Sequence, residues 1–398
     1  MDAPEPPEPL VKEPPEFSLV LGGLLYQLYR RTRLAGPSLD FVRRRIIVIT
    51  SIAWLPLLLL SAIDGHLMGV GDSFLHDIET HVRFLIALPI LIAAELVVHL
   101  RLRLAVKQFI DRGIVIPNEV PMFNAAIESS TRLRNSVAIE IGLLILVYTL
   151  GHWVWREQAA LGSTTWYAVG GDSGLRLTLP GYWYAFVSIP IGQFILLRWY
   201  FRLLIWCRFL WQISRLNLSL TPTHPDGAGG LGFLGGCPYA FAPILFAQGA
   251  LLSGMIASRI FYEGQNLLDF KMDVGGLVIA LVLFVLVPLT MFTPHLARAK
   301  RQGQREYGLL ANRYVQEFDA KWIRGGAPAG EALIGSADIQ SLADLGNSYA
   351  VVREMRPVPF GLDAVTQLVI VTVAPLLPLV LTIMPFEELI GRLIKAML

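Results

Sequence analysis

Two carboxylates interrupt stretches of this chain that are otherwise apolar. Glu95 and Glu140 lie inside runs long enough to cross a bilayer, and His99 follows Glu95 by about one helical turn. A charge at mid-bilayer costs about 2.5–3.5 kcal/mol on insertion scales, so such groups face a bundle interior or a wet cavity. Glu95, His99 and Glu140 are therefore the candidates for an ion or proton path. The alternative is a protonated or hydrogen-bonded contact between helices, and His99 and Glu140, near a cytoplasmic interface, can instead snorkel. Arg198 and Arg202 are four residues apart and are followed by Arg208, among Trp199, Tyr200 and Trp206. A voltage sensor would place arginine at every third position of a span, so these arginines predict an interfacial anchor.

A second constellation reads Thr221-Pro-Thr-His-Pro-Asp-Gly-Ala-Gly-Gly-Leu-Gly-Phe-Leu-Gly-Gly. Its letters fit a dinucleotide fingerprint, but that motif needs a preceding strand and a βαβ unit, and an apolar helix follows instead. Closely spaced glycine amides at a helix start can bind an anion, and they also permit a tight, close-packed entry into a membrane. His224, Asp226, Gly227, Gly229, Gly230 and Gly232 are accordingly a structural or anion-binding loop, with His224 and Asp226 as its polar anchors. Order is expected there, against the cytoplasmic ends of the bundle.

Cys207 and Cys237 flank this loop, and reduced thiols used as small apolar residues are the expectation on a cytoplasmic side. Together with His224 and Asp226 they match no standard zinc spacing. No Ser-His-Asp set, paired-cysteine motif or metal-hydrolase pattern is found either. No catalytic residue, metal site or cofactor is expected, and an enzyme is the least favoured class.

These residues need elements to hold them. The chain has 398 residues, 54% of them hydrophobic and 16% charged, against about 25% charged in a soluble domain. Mean hydropathy is +0.55. An ordinary cytosolic enzyme, a disordered protein and a secreted disulfide scaffold are all excluded. The fold class expected is all-α: a polytopic membrane helix bundle of about seven spans with a helical cytoplasmic insert. Spans are placed at Ile46–Ile63, Phe84–Leu100, Ser136–Trp155, Leu177–Leu197, Pro238–Ser258, Val274–Thr293 and Ala364–Met384. Prolines occur in most of them, which predicts kinked helices.

Residues 1–45 divide into an acidic, proline-rich tail expected to be disordered and a short helix, Phe17–Tyr29, expected to lie in the interface. Residues 46–293 carry six spans. Residues 294–363 form the insert, with one amphipathic helix running on from span six and another over Ser336–Arg353. Residues 364–398 hold span seven and an interfacial C-terminal helix over Phe386–Leu398. With the N-terminus inside, 26 of the 33 Lys and Arg fall in inside segments. The excess holds at every loop, so an N-in, C-out topology is expected. Tryptophans and tyrosines, among them Trp153, Trp155, Trp166, Tyr182 and Tyr184, gather near span ends as aromatic belts do.

The string Pro222-Thr-His-Pro-Asp-Gly-Ala-Gly-Gly-Leu-Gly-Phe-Leu and the segment Leu333–Phe360, which contains Gly-Ser-Ala-Asp-Ile-Gln-Ser-Leu-Ala-Asp-Leu-Gly-Asn-Ser, carry a resemblance. From about Leu216 onward the chain resembles a family of uncharacterised bacterial polytopic inner-membrane proteins. The resemblance implies a bacterial inner membrane; the family has no assigned activity and lends no catalytic residues. The leading expectation is a channel or transporter for an ion or small solute. The alternative is a membrane scaffold or signalling partner. Partners expected are the lipid bilayer, a further copy of the chain and a cytoplasmic protein at residues 298–360, with no nucleic acid.

Overall fold

The computed structural model describes residues 16–34, 36, 41–68, 73–160, 165–171 and 174–382. The proline-rich start and the C-terminal helix expected over Phe386–Leu398 lie outside these residues, apart from Glu16. The described chain is almost wholly helical, as apolar segments must be when no water satisfies their backbone. Helices are α1 (Leu24–Arg31), α2 (Val42–Ile63), α3 (Ile78–Asp111), α4 (Val120–Arg134) and α5 (Val137–Arg156). There follow α6 (179–213), α7 (Leu231–Glu263), α8 (Leu267–Ile323), α9 (Ala337–Glu354) and α10 (Leu362–Val380). A small hairpin pairs Ala168–Gly171 with Gly174–Leu177.

Six of these helices, α2, α3, α5, α7, α8 and α10, are long and apolar enough to cross a membrane. Helix α6 has the length but not the composition, because Gln193, Arg198, Arg202 and Arg208 dilute its apolar residues. Proline sets the local pitch. A proline lacks the N–H that the carbonyl four residues earlier needs, and its ring clashes with that carbonyl. Wide π turns at Val82–Ala87 and Tyr184–Ser188 stand just before Pro89 and Pro190. Tight 3₁₀ turns at Val287–Phe292 and Ala374–Leu376 contain Pro288 and Pro375. Both devices re-route the orphaned carbonyls without ending the helix.

Contacts between segments sort into two ends of the bundle. At one end Asp77 accepts from the Trp166 indole at 2.8 Å, the Tyr262 hydroxyl donates to the His76 carbonyl, and the Leu179 amide donates to Asp64. At the other, Val115 pairs with Leu218 and Asn217 donates to Glu119 at 2.9 Å. His295 and the Ser214 carbonyl are 2.7 Å apart at that same end. No described contact links the two groups.

Two expectations need correction. Phe17–Tyr29 is not a helix lying on a surface: the helix starts at Leu24, and Phe17, Leu19 and Val20 are buried in the bundle core. Phe17 packs on Trp206 and Phe209, whose rings offer a better apolar seat than an interface does. The aromatic belts also thin out. Trp166, Tyr184, Trp199 and Trp206 are buried, each of the first three with a polar partner for its N–H or O–H, while Trp153 and Tyr182 stay exposed.

Candidate functional site

The segment that enters the core brings its own backbone to the buried charges. Helix α1 begins at Leu24, and its first amides have no partner within the helix. Glu140, near the start of α5, supplies one: its Oε2 accepts from the Leu24 and Leu25 amides at 2.5 and 3.1 Å. The carboxylate thus sits where the partial positive charge of a helix start favours it. Just upstream, the Ser18 hydroxyl pairs with His99 Nδ1 at 2.9 Å, and the Ser18 carbonyl accepts from Arg134 at 2.6 Å. Residues 17–31 therefore form a strap across one end of the bundle, tied at three of the residues singled out by sequence or their neighbours.

Beneath the strap lies a cluster of buried charges. Glu95 Oε1 is 2.9 Å from Arg202 and 3.6 Å from Arg198, and its Oε2 is 3.2 Å from Arg45. Glu140 Oε1 lies 3.2 Å from Arg198, which also donates to the Gly22 carbonyl. All five side chains are buried, Arg45 completely. Arg198 and Arg202 are four apart on α6, so one helix face presents both to Glu95. The Trp199 indole donates to the Leu91 carbonyl, its ring lies 4.7 Å from the Arg202 guanidinium, and Tyr29 of the strap lies over Arg45. Three cations face two anions, and the Arg45 nitrogens have no hydrogen-bond partner among the described residues. Removing charges from water is costly, and pairing offsets the cost only with good geometry.

The structure thus brings together Glu95 and Glu140, and places His99 beside them on the strap rather than on the ion cluster. It moves Arg198 and Arg202 from the expected interfacial anchor into the core. Arg45 is missed by sequence reasoning, because it ends the run Arg43-Arg44-Arg45 and reads as one more basic flank. Charge balance gave no signal for it, since Glu95 and Glu140 already match Arg198 and Arg202, and Arg45 stands one turn inside α2.

The glycine-rich loop lies apart from this cluster. Gly227, Gly229 and Gly230 take positive φ of 61°, 63° and 99°, where a side chain would be strained. Their turn wraps around Asp226. Its Oδ1 accepts from the Ala228 and Gly230 amides at 2.8 and 3.1 Å, and its Oδ2 from the Gly232 amide at 2.8 Å. The amides that could cradle an anion are thereby occupied by the chain's own carboxylate. Burial pushes the Asp226 carboxyl up, but these three amides and nearby His224 outweigh it and hold the group below its ordinary value. His224 Nδ1 lies 3.0 Å from Asp226 Oδ1.

The loop is seated on the segment after α9. The Arg356 amide donates to the Gly227 carbonyl at 2.7 Å, and its guanidinium donates to the Asp226 carbonyl at 2.8 Å. Lys300 of α8 donates to the Met355 carbonyl. Gly303 of α8 lets Pro222 and Val352 approach so closely that a Cβ there would stand 2.5 Å from Pro222. The glycine-rich loop and the segment Leu333–Phe360 are thus packed on one another. No protein-family model matches this chain, and neither does any curated protein or solved structure.

Proposed function

We propose that the chain is a multi-pass inner-membrane channel or transporter for an ion or small solute, with an anionic solute favoured by the excess positive charge. The observation that carries this reading is the buried cluster of Arg45, Arg198, Arg202, Glu95 and Glu140 under the strap. Ionisable groups at membrane depth are costly and mark substrate and ion pathways. Each arginine can exchange its carboxylate for an anionic solute, and the strap covers the cluster in the closed state.

Seven spans are supported by the contact of Val115 with Leu218. Helix α5 takes the chain away from that end between these residues, so α6 must bring it back. Counted this way, residues 112–135, 214–230 and 324–361 share one side. That side is cytoplasmic by its excess of lysine and arginine, with the N-terminus on it and residues after α10 opposite. A bacterial inner membrane follows from the family resemblance.

The test is flux in proteoliposomes, using chloride, phosphate, small carboxylates, potassium and protons. The wild-type chain is expected to pass at least one anion above empty vesicles. A double variant, Arg198→Gln with Glu140→Gln, keeps the cluster's net charge and is expected to alter that flux at least severalfold. No flux for any solute, or flux indifferent to the double variant, sinks the reading.

A second reading, a scaffold acting through residues 298–360, is supported by the outer face of α8 and α9. Leu309, Val315 and Ile339 are exposed there, and Ile334 between the helices is 93% exposed. Co-purification of one soluble protein, lost on Leu309→Asp with Val315→Asp while flux stays absent, would favour it.

A further inference from the structure

A groove of about 480 Å³ runs between α1, α2 and α6, and Tyr29, whose ring meets Arg45 of the ion cluster, is among the residues that line it. That volume falls within the range of about 300–1,000 Å³ of small-molecule sites. Its walls are apolar: Leu28 from the strap, Val48, Ile49 and Ile52 from α2, and Phe194 from α6. Its polarity is concentrated at one end. Arg44 lines the groove there, and Val48 and Ile52 follow at four-residue steps along the same helix face. From Arg44 to Ile52 the face spans about 12 Å.

The surroundings of Arg44 are strongly basic. Between Leu24 and Ile63 the sequence holds Arg30, Arg31, Arg33, Arg43, Arg44 and Arg45 against the single acid Asp40. Arg45 is committed to Glu95, whereas Arg30, Arg31, Arg33, Arg43 and Arg44 are exposed and have no ion-pair partner among the described residues. A cationic rim joined to an apolar slot two helical turns long is the complement of one kind of molecule: an anionic head carried on a hydrocarbon chain. Water-soluble anions would leave the slot's apolar walls wet, and an uncharged lipid would leave the arginines unanswered.

We propose that this groove binds an anionic phospholipid, its phosphate on Arg44 and the neighbouring arginines and one acyl chain along Val48 and Ile52. The lipid backs Tyr29, and Tyr29 in turn covers Arg45, so the occupied groove braces the strap against the bundle. The proposal stands on the chain lying in a bilayer and not on transport, so a failed flux assay leaves it untouched.

The full-length chain in neutral detergent is the sample, and the probes are 1-palmitoyl-2-oleoyl phosphatidylglycerol, the matching phosphatidylcholine and glycerol 3-phosphate. Binding is read by native mass spectrometry and by the midpoint of thermal unfolding. One phosphatidylglycerol per chain is expected, with a preference over phosphatidylcholine of about fivefold for each arginine engaged at the surface. Arg44→Gln should cut that preference by about fivefold. Ile52→Trp fills the slot with its ring and should lower retention of both lipids, which keeps the test alive if Arg44→Gln fails to fold. Glycerol 3-phosphate should leave the midpoint unchanged. Equal retention of the two lipids by the wild-type chain overturns the proposal. So does phosphatidylglycerol retention that survives Ile52→Trp, or stabilisation by glycerol 3-phosphate as large as by the lipid. Phosphatidylglycerol binding seen only after deletion of residues 2–15 would assign the groove to the chain's own acidic start, and would overturn it too.

Discussion

Glu95 holds three guanidinium groups, so its removal should be felt as unpaired charge rather than as lost packing. Glu95→Leu is expected to destabilise the chain by about 3–5 kcal/mol, as breaking a buried pair does. Adding Arg202→Met to that variant should recover at least about 1 kcal/mol, because it withdraws one of the stranded cations. Thermal unfolding in detergent checks both, and a Glu95→Leu protein as stable as wild type would mean that water reaches the cluster freely. Asp226 behaves oppositely with pH to a group stabilised by gaining protons. Its folded-state value is lowered, so the unfolded chain binds the proton more readily. Its contribution is complete above the ordinary carboxylate value of about 3.9 and is lost as pH falls through the lower folded value. Asp226→Asn should cost about 1–3 kcal/mol at neutral pH and flatten that acid limb in an unfolding titration. At this scale the sequence was legible where a residue was anomalous in its context. Glu95 and Glu140 stand out in apolar runs and Asp226 in a glycine loop, whereas Arg45 hides in a basic triplet and Arg198 among aromatic residues. What distinguishes those arginines is which helix faces them, a fact of packing that no local pattern records.

Helix positions were largely legible, because apolar length and proline content are local properties. Ser336 caps α9 through its hydroxyl, which accepts from the Asp338 amide, as the residue types suggest. The pitch changes at Pro89, Pro190, Pro288 and Pro375 were legible only as kinks; whether a helix widens or tightens depends on the neighbours that receive the freed carbonyls. The strap was misread for a related reason. Its apolar residues and basic end suit an interface as well as a core, and Trp206, Phe209 and Glu140 decide between them from more than 100 residues away. The glycine loop offers a clean comparison between elements. Gly229 has positive φ and Met355 against it, whereas Gly236 has negative φ and open space. Gly229→Val should therefore lower stability by at least about 1–2 kcal/mol, the usual cost of a left-handed residue, while Gly236→Ala stays near wild type. Protease should cut the loop quickly in the first variant and slowly in the second. Equal cutting of both, at a fast rate, would show a loose connector instead of a seated loop.

At the scale of the molecule, the chain's two groups of contacts make a prediction about sides. Reporters inserted at Gly113 and Gly326 should give the same compartment, and one at Gly264 the opposite one. Gly264 matching Gly113, with Gly326 opposite, would remove α6 or another span between Gly113 and Gly264 from the proposed seven. The buried cluster has a further consequence, in the order of synthesis. Glu95 is made 107 residues before the arginine that bonds it best, and the Leu24 amide 116 residues before Glu140. While the ribosome is still supplying α4 and α5, Arg45 and Glu95 have only each other, and the strap lacks the Trp206 and Phe209 rings that seat Phe17. The first segment of the described chain to be made thus cannot dock fully until α6 has emerged. A nascent chain stalled before Arg198 should leave the strap open to a soluble thiol reagent at an introduced Leu19→Cys, and one stalled well past Arg202 should protect it. The strap closes over the cluster late, and until then Phe17, Leu19 and Val20 wait without their core.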